Sequence, residues 1–398
     1  MGTVIIVGAG QAGMQTALKL REYGYESDIT ILGKEAHSAY ERPPLSKSFL
    51  VNDDMEPVWV GSDEIKRNIT LLTSCEVTAI RPDKKHITLS SGANIPYNYL
   101  VLATGGACRS LPLKTSAPIY NMRTIEDAQL LRKKMQSSKH MTILGAGVIG
   151  LEVAASARKC GIDVSIIELG TRVMGRNLPE NFAPYIHAMH RENNIQFNMA
   201  ESVIAISQSG QSYRVELQSG KSIQTDCIVS GIGITPNTQL AEAANLQVNN
   251  GIIVTQTMQT SDPSIFAVGD IATLYNEKFN TYERLESWEN ANKTAEIAAA
   301  TICGAEIPAY KTPWFWSDQY DQNLQVLGWP LQADHTVFRK KDTSMLAIYL
   351  RGAELIGAVA LNAGADISVL RRMMNACISP TLESLENPAV KLRSLLRA

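Results

Sequence analysis

The first apolar run of the chain, TVIIV (Thr3 to Val7), is short and β-branched, the pattern of a buried parallel strand. Beyond it, MQTALKLREYG (Met14 to Gly24) spaces its apolar residues for one helical face and predicts an amphipathic helix closed by Gly24. DITILG then predicts a second strand. The order returns later in the chain: MTILGAG (Met141 to Gly147), a helix over VIGLEVAASARKCG, and a strand IDVSIIE that ends at Glu168. The pattern predicts an α/β protein with two Rossmann-type units.

Each strand meets its helix through glycines in the spacing G-x-G-x-x-G. These are Gly8, Gly10 and Gly13 in the first unit, and Gly145, Gly147 and Gly150 in the second. Alone, such a spacing is weak. Between a strand and a helix it becomes a dinucleotide-binding prediction, because one glycine turns the chain, the next admits a pyrophosphate to the backbone, and the third lets helix and strand close up. The helix N-terminus supplies amides and a positive dipole to the phosphates. Two complete units predict two bound dinucleotides.

The acidic residue ending the second strand of such a unit accepts hydrogen bonds from a ribose and repels a 2′-phosphate. Glu168, 23 positions after Gly145, therefore favours NADH over NADPH, although Arg172 and Arg176 nearby leave the preference open. In the first unit the same place reads Gly33-Lys34-Glu35, and Glu35 is the better candidate for the ribose.

Composition narrows the classes. The 398 residues carry 37 Lys and Arg against 39 Asp and Glu, a net charge of −2, which argues against nucleic acid as a partner. The six cysteines form no C-x-x-C pair and suggest a reducing compartment, the cytoplasm, with neither a disulfide framework nor an iron–sulfur site in this chain. No basic region precedes the apolar N-terminal run and no later run reaches membrane-spanning length, so neither a signal peptide nor a membrane anchor is expected. His187 and His190 are spaced i,i+3, but no third ligand clusters with them, and no metal site is expected. Trp314 and Trp316 read equally as core aromatics or, alternating on a strand, as candidates to face a cofactor.

Four further motifs complete the picture: YERPPLSK (Tyr40 to Lys47), VLATGG (Val101 to Gly106), TSDPSIFAVGD (Thr260 to Asp270) and WFWSDQYDQNLQVLG (Trp314 to Gly328). With the two glycine loops they resemble, over essentially the whole chain, the FAD-dependent ferredoxin–NAD(+) reductases of bacterial aromatic-ring dioxygenase systems. The resemblance implies a glutathione-reductase-like fold: an FAD-binding domain over 1–110 and 237–310, an NAD-binding domain over 111–236, and a C-terminal α+β domain over 311–398. The first loop then serves FAD and the second NADH.

Carried onto this sequence, the resemblance implies FAD contacts at Ala12, Arg42, Lys47, Val77, Thr104, Gly105, Arg123, Asp270 and Trp288 beside the first loop. On the nicotinamide side it implies Val148, Ile149, Glu152 and Gly233, with Lys47 pairing Glu152 and both orienting rings rather than forming covalent bonds. Relatives commonly have Asp where this chain has Lys34, which leaves Glu35 to take that contact. The implied activity is hydride transfer from NADH to FAD, followed by single-electron delivery to a [2Fe–2S] ferredoxin, by a monomer or homodimer. A reductase of rubredoxin or another small electron carrier, and an NADH-sensing flavoprotein, are the alternatives. Dithiol chemistry is not expected, since LSKSFL after Pro44 has no cysteine.

Overall fold

The computed structural model describes residues 2–61, 68–341 and 343–397. The chain forms two compact units, each assembled from three segments: 1–41, 57–107 and 234–310 in the first, and 42–56, 108–233 and 311–398 in the second.

The first unit is built on five parallel strands in the order Ile265–Ala267, Tyr99–Leu102, Val4–Val7, Ile29–Leu32 and Ile69–Leu72. Val4–Val7 is buried throughout, as a central strand covered on both faces must be. The helix that follows runs Gln11–Glu22 and so starts three positions before the amphipathic pattern becomes visible, because the turn through the glycines leads straight into it. It packs along the alanine-rich helix Trp288–Cys303, the small side chains letting the two axes approach.

The second unit repeats the plan with parallel strands ordered Ile195–Met199, Asp163–Glu168, His140–Leu144, Cys227–Ser230 and Ile119–Tyr120. Its helix Val148–Lys159 buries eight consecutive residues, Gly150 to Ala157, on all sides. An antiparallel sheet follows toward the C-terminus, ordered Trp314–Gln319, Gln322–Gly328, Glu354–Leu361, Ser344–Arg351 and His335–Lys341. Helix Gly364–Asn375 closes one face of it, its Ile367 and Leu370 sharing a core with Leu346 and Ile348 of the sheet. The fold is the α/β frame with a C-terminal α+β layer that the sequence pattern and the resemblance imply.

Candidate functional site

In the first unit the turn after Val4–Val7 is possible only with glycine. Gly8 sits at φ 115°, and a Cβ there would lie 2.2 Å from the Ala103 carbonyl oxygen; at Gly13 a Cβ would lie 1.9 Å from the carbonyl oxygen of Gly8. Gly10 is different: no described atom comes within 4 Å of where its Cβ would stand. Its absent side chain serves something other than internal packing. Gly10 is also the N-cap of Gln11–Glu22, with no side-chain cap and no acidic residue in the first turn. The first-turn amides, which every helix leaves without an internal partner, therefore face outward with the positive end of the dipole. By contrast, Thr124 and Ser287 cap the helices that follow them in the usual way.

Other predicted residues gather at the same end of the sheet. Gly269, at φ 74°, packs so closely on Ala12 that a Cβ would lie 2.8 Å from it, which brings Asp270 beside the first glycine loop. The Gly269 amide donates to Thr294 (2.8 Å), and Arg284 donates to the Asp270 carbonyl (3.0 Å). Trp288 is the first residue of the helix that carries Thr294. Thr104 and Gly105, just beyond Tyr99–Leu102, are clasped by Asn237: its amide nitrogen donates to Gly105, its side chain donates to the Thr104 carbonyl (2.8 Å), and its own carbonyl accepts from the Thr104 hydroxyl. Val77 is a buried strand residue. Glu35 accepts from the Tyr40 hydroxyl at 2.5 Å, while Lys34 turns to Glu76 at the surface, 2.7 Å away.

The second unit reproduces the cradle. Gly145 (φ 98°) and Gly150 admit no Cβ, the first because of the Gly231 carbonyl at 2.7 Å and the second because of the Gly145 carbonyl at 2.2 Å. Gly147, with nothing closer than 3.8 Å, caps Val148–Lys159 without a side chain, and Ile149 in the first turn is exposed. Glu168 reaches back to the loop, accepting from the Ala146 amide (2.6 Å) and the Gly170 amide (2.7 Å). Two of its lone-pair positions are thereby engaged and the carboxylate is fixed beside the phosphate cradle. Arg172 is committed to Glu180 at 2.7 Å, and the guanidinium of Arg176 lies against Gly233.

Segment 42–56 also belongs to this unit, and it carries the chemistry that the glycine loops lack. Arg132 donates to the carbonyls of Phe49 and Asn52, and Arg42 donates to the carbonyl of Arg123. Lys47 lies 2.8 Å from Glu152, which is buried to 2% side-chain exposure. Three donors converge on that carboxylate: Lys47 and Ser46 on Oε2, and Ser317 on Oε1 at 2.6 Å. Behind Ser317 stand Gln319, His190 and Tyr320. Ser46, Ser317, Gln319 and Tyr320 lie within YERPPLSK and WFWSDQYDQNLQVLG, but neither motif singles them out as site residues, and the spacing of His190 suggests only a metal ligand.

A family model described as pyridine nucleotide-disulphide oxidoreductase matches residues 2–295, and a second, described as reductase C-terminal, matches residues 314–396. The chain belongs to the pyridine nucleotide-disulphide oxidoreductase family. A relative from Photorhabdus laumondii, named as the ferredoxin–NAD(+) reductase component of 3-phenylpropionate/cinnamic acid dioxygenase, is 37% identical over 379 residues, covering 94% of this chain and 96% of its own. The structure of the covalent putidaredoxin reductase–putidaredoxin complex aligns with a TM-score of 0.95 at 32% identity, covering 100% of this chain and 98% of that one. The ferredoxin reductase for the CYP199A2 system of Rhodopseudomonas palustris aligns at 0.94 with 35% identity, covering 98% and 99%.

All six cysteines are free, and burial pushes the thiols of Cys108, Cys160 and Cys303 up and that of Cys227 up to about 12. No group of three or more His, Cys, Asp or Glu suited to a metal occurs among the described residues. His187 stacks edge-on against Phe197, and His190 is bonded to Gln319. Trp314 and Trp316 stack on each other at 5.3 Å, both half-buried, with the Trp314 indole N–H on Gln325. No helix among the described residues is long and apolar enough to cross a membrane.

Proposed function

We propose that the protein is an NADH-dependent FAD flavoprotein of the ferredoxin–NAD(+) reductase type, delivering electrons one at a time to a [2Fe–2S] ferredoxin that supplies an aromatic-ring dioxygenase in the cytoplasm. The observation that carries the reading is the pair of uncapped glycine cradles, one per unit, accompanied by the buried Lys47–Glu152 pair. The names of the relatives from P. laumondii and R. palustris supply the direction of electron flow and the class of acceptor.

In this reading FAD is held by an FAD-binding domain over 1–110 and 237–310. Gly8, Gly10, Ala12 and Gly13 take its pyrophosphate, Glu35 its ribose, and Asp270 the ribityl or phosphate region; Val77, Thr104, Gly105, Arg123, Arg42 and Trp288 line the rest. NADH is held by the domain over 111–236, with its phosphates on Gly145, Gly147, Val148, Ile149 and Gly150, its ribose on Glu168, and a further contact at Gly233. The region 311–398 completes the reductase. FAD, when bound, supplies the exchange between a two-electron donor and a one-electron acceptor. The residues of the chain bind, orient and exclude water: Lys47 presents a cation to the electron-rich edge of the ring, and Glu152 steadies the carboxamide of the nicotinamide.

The test is an anaerobic titration of the FAD-loaded protein with NADH and a dioxygenase-type ferredoxin. Two ferredoxins reduced per NADH is the expected stoichiometry, and added salt slows the reaction because an acidic partner is steered to basic side chains. One ferredoxin per NADH, or no reduction at low salt, overturns the reading.

A further inference from the structure

The carboxylate of Glu152 ends a line of hydrogen bonds that runs inward through four side chains. Ser317 donates to its Oε1 at 2.6 Å, Gln319 Nε2 lies 3.0 Å from Ser317 Oγ, Gln319 Oε1 lies 2.8 Å from His190 Nε2, and His190 Nδ1 lies 3.1 Å from the Tyr320 hydroxyl. Ser317, Gln319 and His190 are at most 1% exposed. Leaving any one of these polar groups unpaired would carry the full cost of its desolvation.

The direction of each bond as far as His190 Nε2 follows from the first. A carboxylate paired with Lys47 has no proton to give, so the single hydroxyl proton of Ser317 points to Glu152. Ser317 Oγ can then only accept from Gln319, which fixes the amide with its nitrogen toward Ser317 and its oxygen toward His190. His190 must carry its proton on Nε2. The bonds from Glu152 to that nitrogen allow one arrangement, and with the ring neutral Nδ1 accepts from the Tyr320 hydroxyl, whereas a charged ring would donate to it. Burial favours the neutral ring, pushing the imidazole down to about 4 while the Tyr320 hydroxyl is pushed up and stays protonated. Of the charged or titratable neighbours, Lys159 donates to the backbone carbonyl of Tyr320 at 3.1 Å, while His187 and Arg158 act on His190 and Tyr320 through charge alone. The amide in the middle cannot pass a proton onward without changing tautomer, so the line is poorly suited to proton conduction.

We infer that Tyr320, His190, Gln319 and Ser317 form a one-way donor chain that fixes the carboxylate of Glu152 in a single orientation, making these four residues positioning residues for the nicotinamide step. The inference rests on the role given to Glu152 above. Ser317 and Gln319 are i,i+2 on the strand Trp314–Gln319, so the C-terminal layer reaches the second glycine-loop helix through this line.

The experiment has two arms. The first is side-chain 15N–1H NMR of the FAD-loaded protein labelled at histidine, compared with His190→Gln for assignment. A neutral His190 with its proton on Nε2 at pH 6 is expected; a charged ring, or a proton on Nδ1, overturns the inference whatever the activity. The second arm measures anaerobic flavin reduction at saturating NADH for Glu152→Ala, Ser317→Ala and Tyr320→Phe, together with FAD content and Tm. The loss of one hydrogen bond to a charged group predicts a roughly tenfold slower reduction in Ser317→Ala. Tyr320→Phe is expected to lie between wild type and Ser317→Ala, with FAD content and Kd for NADH nearly unchanged in both. If Glu152→Ala is slow but Ser317→Ala and Tyr320→Phe match wild type, the donor chain is refuted and the role of Glu152 stands. If Glu152→Ala itself matches wild type, the reading of Glu152 fails and the inference falls with it. Should Ser317→Ala fold poorly, Tyr320→Phe and the NMR arm still decide.

Discussion

Lys47 and Glu152 form one pair but differ in their access to water, and the difference predicts an asymmetry in what each contributes to stability. The side chain of Lys47 is 19% exposed and that of Glu152 only 2%. In Lys47→Met the carboxylate stays buried with Ser46 and Ser317 as its remaining donors. Removing one partner of a buried pair costs about 3–5 kcal/mol, and the two serines hold the figure to the lower end, about 3 kcal/mol. In Glu152→Gln the ammonium keeps the Pro43 carbonyl at 3.0 Å and can turn toward solvent, while the new amide still accepts from Ser317, so the cost is about 1 kcal/mol. At about 3 °C per kcal/mol for units of 150–250 residues, Tm falls by about 9 °C in Lys47→Met and about 3 °C in Glu152→Gln. The double substitution should cost at least about 1 kcal/mol less than the two singles together. Scanning calorimetry of the four proteins without FAD keeps ligand linkage out of the comparison, since Lys47 is itself placed at the FAD. A loss in Glu152→Gln as large as that in Lys47→Met, or full additivity, would refute the reasoning.

Three other outcomes are expected. Gly10→Ala should keep its Tm without FAD yet bind FAD at least roughly tenfold more weakly, whereas Gly13→Ala should lose stability outright because its Cβ meets backbone; isothermal titration and thermal melts of the two variants separate a ligand-facing glycine from a packing glycine. NADH should be preferred over NADPH by at least roughly tenfold in kcat/KM, a difference of about 1.4 kcal/mol, and Glu168→Gln should narrow that preference; equal wild-type efficiencies would remove this role from Glu168. His190 is held neutral in the folded protein, with its pKa pushed down to about 4, so the unfolded chain binds the extra proton between about pH 6.5 and pH 4. Stability is therefore fully present above about pH 6.5 and falls as pH drops through that window. His190→Gln should flatten part of the fall seen in urea melts, with His140 and His187, also pushed down by burial, supplying the rest.

What the sequence disclosed tracks the range over which each interaction acts. The glycine loops were legible because the strand–loop–helix order stands in the text of the chain and Gly13 excludes a side chain through the Gly8 carbonyl five positions away, although Gly8 itself does so through Ala103, 95 positions distant. Glu168 was legible for the same reason, lying at the end of the next strand. The environment of Glu152 was not. Its partners Ser46 and Ser317 are 106 and 165 positions distant, and Gln319 and His190 are 129 apart, separations that no spacing rule describes. One signal was present: Ser317 and Gln319 are polar residues alternating on one face of a strand otherwise rich in tryptophan. Buried polar pairs on a strand imply a network to satisfy them. Segment 42–56 groups with the second unit and is tied to it by Arg132 as well as Glu152; the resemblance implies the Lys47–Glu152 pair, whereas nothing in YERPPLSKSFL announces Arg132.

The family name joins pyridine nucleotides to disulphide chemistry, and this chain keeps only the first half in its side chains. Between 42 and 56 there is no cysteine, and Ser46 and Lys47 stand there instead, bound to a carboxylate. A thiol relay works through thiolate character and access, both of which burial removes from Cys227 and weakens in Cys108 and Cys303, while Cys160 is exposed. An ion pair cannot carry electrons, but it can hold two rings in register and tune the charge around them. If that exchange is real, replacing all six cysteines by serine should leave NADH-driven flavin reduction intact in folded, FAD-loaded protein while Lys47→Met impairs it. Loss of reduction in the cysteine-free protein despite full FAD content would return the chemistry to a thiol.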